Sequence, residues 1–195
     1  MAEQVRKSEQ TKRRIMDAYA RLMRTTAFDK ISVKEICSGA GVTRSTFYAY
    51  FADLYDLIEQ MEEHLLGNMV FFEADGGDTA DRPHASVVRW FEYCSANRGW
   101  IISLMGDYGE PYFRIRLNKQ VTADVERMME HDKTPRDPVE PYIVDMVVTQ
   151  HTVLMYRWIR EQESGVELLS AERIAAVANR LRAGFLATWN AQEAR

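Results

Sequence analysis

Residues 31–51, ISVKEICSGAGVTRSTFYAYF, constrain the fold of this chain more than any other segment, because they predict two short helices joined by a tight turn. Ser32 followed three residues later by Glu35 fits a capping box at the start of the first helix. Gly41 can end that helix in a left-handed conformation that costs little only for glycine. Thr43 can cap the second helix. The segment therefore predicts a helix-turn-helix.

Apolar residues recur at helical spacing on both sides of this turn and predict which faces are buried. The stripe of the first helix is Val33, Ile36, Cys37 and Ala40, and that of the second is Phe47, Tyr50, Phe51 and Leu54. Polar side chains then remain near the start of the second helix, where a helix-turn-helix contacts bases and phosphates. Many helical proteins contain two helices around a glycine without binding DNA, so the surrounding sequence has to decide.

The preceding segment, residues 11–23, has a helical apolar stripe and three consecutive basic residues, Lys12, Arg13 and Arg14. We expect them at the start of the first helix, where positive charge opposes the helix dipole. Phosphate contact would explain their presence, and a solvated chain end is the alternative. Residues 1–50 contain ten Lys and Arg against five Asp and Glu, whereas the other 145 residues have a net charge of −9. A basic head on an acidic body is typical of a DNA-binding regulator.

On KRRIMDAYARLM and FDKISVKEICSGAGVTRSTFYAYF, the chain resembles the tetracycline-repressor (TetR) family of bacterial regulators. Arg44 is the best candidate for reading a base, and Ser32 is expected both to cap its helix and to contact a phosphate. The resemblance also gives Tyr50 a packing and phosphate-contacting role. The expected DNA-binding residues are Lys12, Arg13, Ser32, Thr43, Arg44, Ser45, Tyr48 and Tyr50. One position departs from the family: Leu54 stands where a phosphate-contacting lysine is usual, which leaves that contact to backbone N–H groups or removes it.

The remaining sequence predicts further helices separated by Gly- and Pro-rich breaks, and no strand pattern. We therefore predict an all-α fold of about nine helices. A three-helix DNA-binding head, residues 1–53, is joined by a long helix to an effector-binding and dimerisation body, residues 54–195. The body loosely resembles regulators related to the activator of dihydroxyacetone kinase genes, through NRGWIISLMGDYGEPYFRIRL, Trp158-Ile159 and LLSAERIA.

The last two helices are long and unusually apolar, and the family resemblance implies that they form a four-helix bundle with a second subunit. The expected interface residues are Val147, Leu154, Trp158, Leu181 and Phe185; a monomer with a thick core is the alternative. The resemblance also places a small-molecule effector inside the body. Its expected lining is Trp90, Tyr93, Trp100, Met105, Tyr108, Phe113 and His151, although ordinary core packing is the favoured explanation for the aromatic and methionine side chains among them.

Other classes of protein find little support in the sequence. Cys37 and Cys94 are expected to be buried thiols, and the four scattered histidines predict no metal site and no cofactor. Motifs of hydrolases, metalloproteases and nucleotide-binding enzymes are missing, so we expect no enzyme. No apolar run approaches the length of a membrane span, and no signal peptide is recognisable. We expect a protein of the bacterial cytoplasm, associated with the nucleoid.

These patterns together predict a homodimeric regulator, most simply a repressor, that binds a near-palindromic operator in double-stranded DNA and releases it when a small molecule binds the body. The main alternative is an adaptor of the same fold that acts through a protein partner and binds DNA weakly or not at all. Leu54 and the acidic body favour that alternative, whereas Arg44, Tyr48 and the basic first helix favour DNA.

Overall fold

The computed structural model describes residues 2–73, 85–131, 138–166 and 169–193, with side chains described from residue 6 to residue 184 within these ranges. The described residues form helices and contain no strand, which confirms the all-α prediction. A short 3-10 helix, Phe28–Lys30, lies between the first two α-helices. The α-helices are α1 (Ala2–Leu22), α2 (Val33–Ala40), α3 (Arg44–Tyr48), α4 (Leu54–Gly67), α5 (Ala85–Ala96), α6 (Arg98–Met105), α7 (Phe113–His131), α8 (Glu140–Glu163) and α9 (Ala171–Glu193).

The first helix begins much earlier than the sequence analysis expected. It starts at Ala2, because residues 2–11 contain neither proline nor glycine and are mostly good helix formers. Lys12, Arg13 and Arg14 therefore lie in the middle of α1. The expectation that they oppose the dipole at a helix start is wrong, because the dipole effect is confined to the terminal turns. The helix dipole therefore gives no reason to expect that these three basic residues contact phosphate.

The chain divides into two compact units. The head unit comprises Met1–Asn68 and Asn97–Ile115, and the body unit comprises Met69–Ala96 and Arg116–Arg195. Helix α6 thus belongs to the head unit although α5 precedes it in the sequence. The predicted functional boundary after residue 53 stays a prediction, since compactness alone does not test which segment binds DNA or effector.

In the head unit, α1 packs against both α2 and α6. The apolar face of α1 is fully buried, as Ile15 and Tyr19 illustrate. Two side chains of α6 attach it to α1 through hydrogen bonds: the Trp100 indole Nε1 donates to Asp17 Oδ1 at 2.7 Å, and Ser103 Oγ donates to the Ala20 carbonyl at 2.7 Å. Helix α6 is therefore part of the framework that holds α1 in place.

In the body unit, α5 packs against α8 and α9, which also pack against each other. The most buried side chains of α5 and α8 face this interior, among them Phe91, Cys94, Met155 and Ile159. Gln150 Nε2 donates to the Ala178 carbonyl at 2.6 Å, which links α8 to α9. None of the helices in the described ranges is long and apolar enough to cross a membrane.

Candidate functional site

The start of α2 is held by the predicted capping box. The backbone N–H of Glu35 donates to Ser32 Oγ at 3.3 Å, and the Glu35 carboxylate accepts from the Ser32 backbone N–H at 2.9 Å and from the Ser32 hydroxyl at 2.6 Å. These hydrogen bonds lower the pKa of Glu35, since they stabilise its charged form. The hydroxyl proton of Ser32 is thus engaged within the chain, and a phosphate would have to replace the Glu35 carboxylate as its acceptor.

The turn between the two helices depends on Gly41, which has φ 64° and ψ 42°. The Val42 N–H donates to the Cys37 carbonyl at 3.0 Å, as in the common glycine-terminated helix end. The Arg14 guanidinium donates to the Ala40 carbonyl at 2.5 Å and so satisfies another carbonyl at this end of α2. Arg14 therefore has a structural role that its position in a basic cluster did not reveal.

Helix α3 is capped by Thr43, whose Oγ1 accepts from the backbone N–H of Thr46 at 3.2 Å. The same hydroxyl lies 2.8 Å from Ser45 Oγ and 2.9 Å from Thr46 Oγ1. Phe47 is fully buried and Phe51 is almost so, and their rings are 5.5 Å apart. The buried rings and the capping hydroxyl together fix the orientation of α3 in the head unit.

With its orientation fixed in this way, α3 exposes its polar side chains. Arg44 and Ser45 are exposed, and Tyr48 is 57% exposed while its ring packs edge-on against Phe47 at 5.3 Å. Among the described residues, Arg44 makes no hydrogen bond or ion pair with another side chain. An unpaired guanidinium at the start of such a helix can form two parallel hydrogen bonds with a guanine edge.

The other expected DNA-binding residues have different surroundings. Lys12 is half-buried, and the Arg13 guanidinium lies over the Trp100 ring, 5.3 Å from its centroid. Tyr50 is half-buried, and its ring is 6.4 Å from that of Phe51. Lys12 and Arg13 thus line a cleft of the head unit, whereas Arg44, Ser45 and Tyr48 of α3 are exposed.

The start of α4, where Leu54 replaces the usual lysine, is occupied by two carboxylates. Asp53 accepts from the Asp56 N–H at 2.9 Å, and Asp56 accepts from the Ala52 N–H at 2.7 Å. Leu54 itself is half-buried. Backbone N–H groups that already bind carboxylates, beside two negative charges, form a poor phosphate site. Asp56 also accepts from Gln60 Nε2 at 2.8 Å, and this amide lies 3.3 Å from the Tyr50 carbonyl.

The seven side chains expected to line an effector site are distributed over both units. Trp90, Tyr93 and His151 belong to the body unit, and Trp100, Met105, Tyr108 and Phe113 belong to the head unit. All are buried or half-buried except Tyr108, which is 46% exposed. That they share one ligand stays a prediction.

The body unit buries an aromatic cluster with unsatisfied polar atoms. The Phe71 ring stands edge-to-face with Trp90 at 5.2 Å and with His151 at 4.8 Å. His151 Nδ1 lies 2.7 Å from the Val147 carbonyl, and burial lowers the pKa of His151 to about 4. Its imidazole is therefore neutral at pH 7, with Nδ1–H as the donor. In the described part of the chain, Trp90 Nε1, Ser86 Oγ and Asn118 Oδ1 are buried without a hydrogen-bond partner.

The residues expected at a subunit interface differ in exposure. Val147 and Trp158 are buried within the body unit, where the Trp158 indole donates to the Leu169 carbonyl at 2.8 Å. Leu154 is half-buried and Leu181 is 54% exposed; the side chain of Phe185 lies outside the described residues. Val153 and Val177 are exposed apolar residues of the same two helices that the prediction did not include.

Both cysteines are buried thiols, as expected. Within the ranges that the structure describes, no three His, Cys, Asp or Glu side chains are grouped closely enough to hold a metal ion. Six residues that line the cleft of the head unit were not singled out from the sequence: Arg6, Glu9, Gln10, Met16, Gln60 and His64. No motif connects them, because three separate helices bring the lining of the cleft together.

Comparison with known proteins supports the resemblance to the TetR family. Residues 15–61 match the sequence profile described as bacterial regulatory proteins, tetR family. The matched segment extends from α1 through the helix-turn-helix into α4. No curated protein sequence matches the chain significantly.

Solved structures of TetR regulators share the fold of the whole chain. A regulator from Streptomyces coelicolor aligns with a TM-score of 0.67 at 18% identity and covers 94% of this chain and 83% of its own. A TetR regulator from Streptococcus agalactiae aligns with a TM-score of 0.62 at 20% identity, covering 93% of this chain and 98% of its own. The dihydroxyacetone kinase operon activator DhaS aligns with a TM-score of 0.59 at 16% identity, covering 91% and 97%. At these identities the similarity shows a common fold.

Proposed function

We propose that this chain, whose N-terminal helices and fold are those of the TetR transcriptional regulators, binds operator DNA sequence-specifically through α3 and represses the genes concerned. The proposal rests on the exposure of the polar side chains of α3. Its polar side chains, Arg44, Ser45 and Tyr48, are exposed, and buried aromatic rings hold the helix in place. Arg44 has no hydrogen-bonding partner among the described side chains, so contact with a guanine would cost no existing ion pair.

We further propose a homodimer formed through α8 and α9. Exposed apolar side chains are present on both helices, including Val153, Val177 and Leu181. Burial of such apolar surface by a second subunit is favourable, because it removes the surface from water. Two-fold symmetry would then place two copies of α3 on successive turns of a near-palindromic operator.

The proposed effector site is the interior of the body unit around Trp90 and His151. Buried polar atoms without partners are costly, and a ligand could satisfy the indole N–H of Trp90. His151 donates through Nδ1, which leaves Nε2 as an acceptor for a ligand hydroxyl or amide. For such a ligand to control DNA binding, it must bind more tightly to the form that has released the operator.

Selection of bound duplexes from a random DNA pool, at about 150 mM salt to suppress nonspecific phosphate binding, tests the proposed DNA reading directly. The folded protein should enrich a palindromic sequence. Arg44→Ala should lower affinity for that sequence by about tenfold or more, since a bidentate arginine–guanine contact is worth about 1–3 kcal/mol. Arg173→Ala, which removes an exposed arginine from α9, is the matched control and should retain full affinity.

Selection without enrichment, from protein that is folded and dimeric by sedimentation, would contradict the proposal and favour the adaptor alternative. An Arg44→Ala variant with unchanged sequence preference would remove Arg44 from the reading role. Equal losses in Arg44→Ala and Arg173→Ala would indicate that only overall charge matters.

A further inference from the structure

The head unit contains a cleft of about 380 Å³ between α1, α4 and α6. This volume lies within the range of small-molecule sites. The chain segments that form it are far apart in sequence, and the interactions that hold α1 and α6 together also determine its shape. Its lining consists of Arg6, Glu9, Gln10, Lys12, Arg13, Met16, Gln60, His64 and Trp100.

Positive charge predominates in this cleft. Three of its residues, Arg6, Lys12 and Arg13, are cationic, and Glu9 is the one acidic residue among them. Burial lowers the pKa of His64, the charges of Arg13 and Lys12 lower it further, and Glu9 opposes the shift. Cations that converge on one cleft favour an anionic occupant.

An aromatic wall limits the shape of that occupant. The Trp100 indole is fixed by its hydrogen bond to Asp17 and stands edge-to-face with His64 at 5.5 Å. The Arg13 guanidinium lies over the Trp100 ring. Met16 and the methylene groups of Lys12 and Arg13 add apolar surface beside the charges. Such a lining suits a molecule with a flat apolar part and one negative group.

The cleft is also connected to the segment that follows α3. The Gln60 amide donates to Asp56 and lies 3.3 Å from the carbonyl of Tyr50, two residues after α3 ends. Hydrogen bonds from Gln60 and from the Ala52 N–H lower the pKa of Asp56, and the charge of Lys12 lowers it further. An occupant that takes the Gln60 amide as a donor would compete with the contact to Tyr50.

We infer that this cleft is a binding site for a small amphipathic carboxylate with an aromatic body, distinct from the proposed effector site in the body unit. The carboxylate pairs with Lys12 and Arg13, the aromatic part lies against Trp100, and Gln60 donates to the same ligand. Because Gln60 contacts Tyr50, occupancy alters the support of α3. The inference requires no DNA binding and stands or falls independently of the proposed function.

The test uses 2-naphthoate as the probe and its neutral analogue 2-naphthalenemethanol as the comparison. Titration of the full chain is followed by NMR of the four tryptophan indole N–H signals, with the Trp100 signal assigned from a Trp100→Phe variant. We expect 2-naphthoate to shift the Trp100 signal saturably, with a Kd below about 1 mM. The neutral alcohol should bind much more weakly, because it cannot pair with the two cations.

Two variants separate the cleft from general charge effects. Arg13→Gln keeps most of the side-chain length but removes the charge, and should weaken 2-naphthoate binding by about tenfold. Lys7→Gln removes an exposed charge from the same helix outside the cleft and should leave the Kd unchanged.

Three results would overturn the inference. One is an unshifted Trp100 signal, whether or not the signals of other tryptophans move; a shift confined to Trp90 would indicate the body site instead. Another is equal binding of the acid and the alcohol, or equal loss in both variants. The third is a Trp100 signal that moves with a short DNA duplex and not with 2-naphthoate, which would assign the cleft to the DNA backbone.

Discussion

Replacement of His151 by glutamine should make the folded protein more resistant to acid. Burial lowers the pKa of His151 from 6.5 to about 4, and the side chain is 2% exposed. Between these two pH values the unfolded chain binds a proton at this position and the native chain does not. Falling pH therefore favours unfolding, and the destabilisation begins as the pH passes below 6.5.

The magnitude follows from the two pKa values. At pH 7.5 the imidazole is neutral in both states and contributes almost nothing to pH dependence. By pH 5 the proton bound in the unfolded state should cost the wild-type protein about 2 kcal/mol, rising toward about 3 kcal/mol near pH 4. Glutamine does not titrate, so the variant lacks this pH-dependent destabilisation, whatever stability it loses through altered packing.

Urea unfolding of wild type and His151→Gln at pH 7.5, 6 and 5 measures this destabilisation as the difference between their unfolding free energies. Contributions from the carboxylates are common to both proteins and cancel. The unfolding free energy of wild type minus that of the variant should fall by about 2 kcal/mol between pH 7.5 and 5. His131→Gln, which changes an exposed histidine at the end of α7, serves as the control. A difference that stays constant with pH would refute the reasoning, since it would mean that His151 takes up a proton in the native state.

Two further variants test the turn and the proposed dimer. Gly41→Ala should lower the unfolding free energy by about 1–2 kcal/mol, because alanine is strained at a left-handed φ and its Cβ would come within 3.1 Å of Arg14; denaturant unfolding measures the loss. Gly39→Ala is the control, since its Cβ would meet only Ala18 at 3.4 Å, and a Gly41→Ala variant as stable as this control would contradict the explanation. Leu181→Glu should dissociate the dimer and leave a folded subunit, because Leu181 is 54% exposed and can be buried only by a partner. Sedimentation velocity beside Arg173→Glu would detect this, and an intact Leu181→Glu dimer would place the interface elsewhere.

Interactions between near neighbours in sequence were predictable. The capping box pairs residues three apart, and the end of α2 at Gly41 depends on one residue type. Their geometry follows from helix periodicity and side-chain chemistry alone, so spacing was sufficient. The exposed side of α3 could be predicted for the same reason, since burial of Phe47 and Phe51 orients the rest of the helix.

Interactions that depend on how helices cross were not predictable. The contact of Arg14 with the Ala40 carbonyl requires α1 to pass the end of α2 at a particular angle. The Trp100 indole meets Asp17, 83 residues earlier in the chain. The sequence predicted a long helix after the head, but α4 ends at Gly67, and Met69 and Phe71 beyond it are buried. An apolar pattern shows that a residue is buried and leaves open which neighbours bury it.

The attachment of α6 to α1 has a consequence for synthesis on the ribosome. Because chains emerge from the N-terminus onward, the first four helices are complete while the residues that contact Asp17 and Ala20 have still to be made. The hydrogen bond from the Phe28 N–H to the Tyr108 carbonyl, 2.9 Å long, can likewise form only after residue 108 has been made. Helix α3 therefore reaches its final support only after residues 100–108 have been translated, and a nascent chain stalled before that point would carry α2 and α3 on an α1 that lacks these contacts.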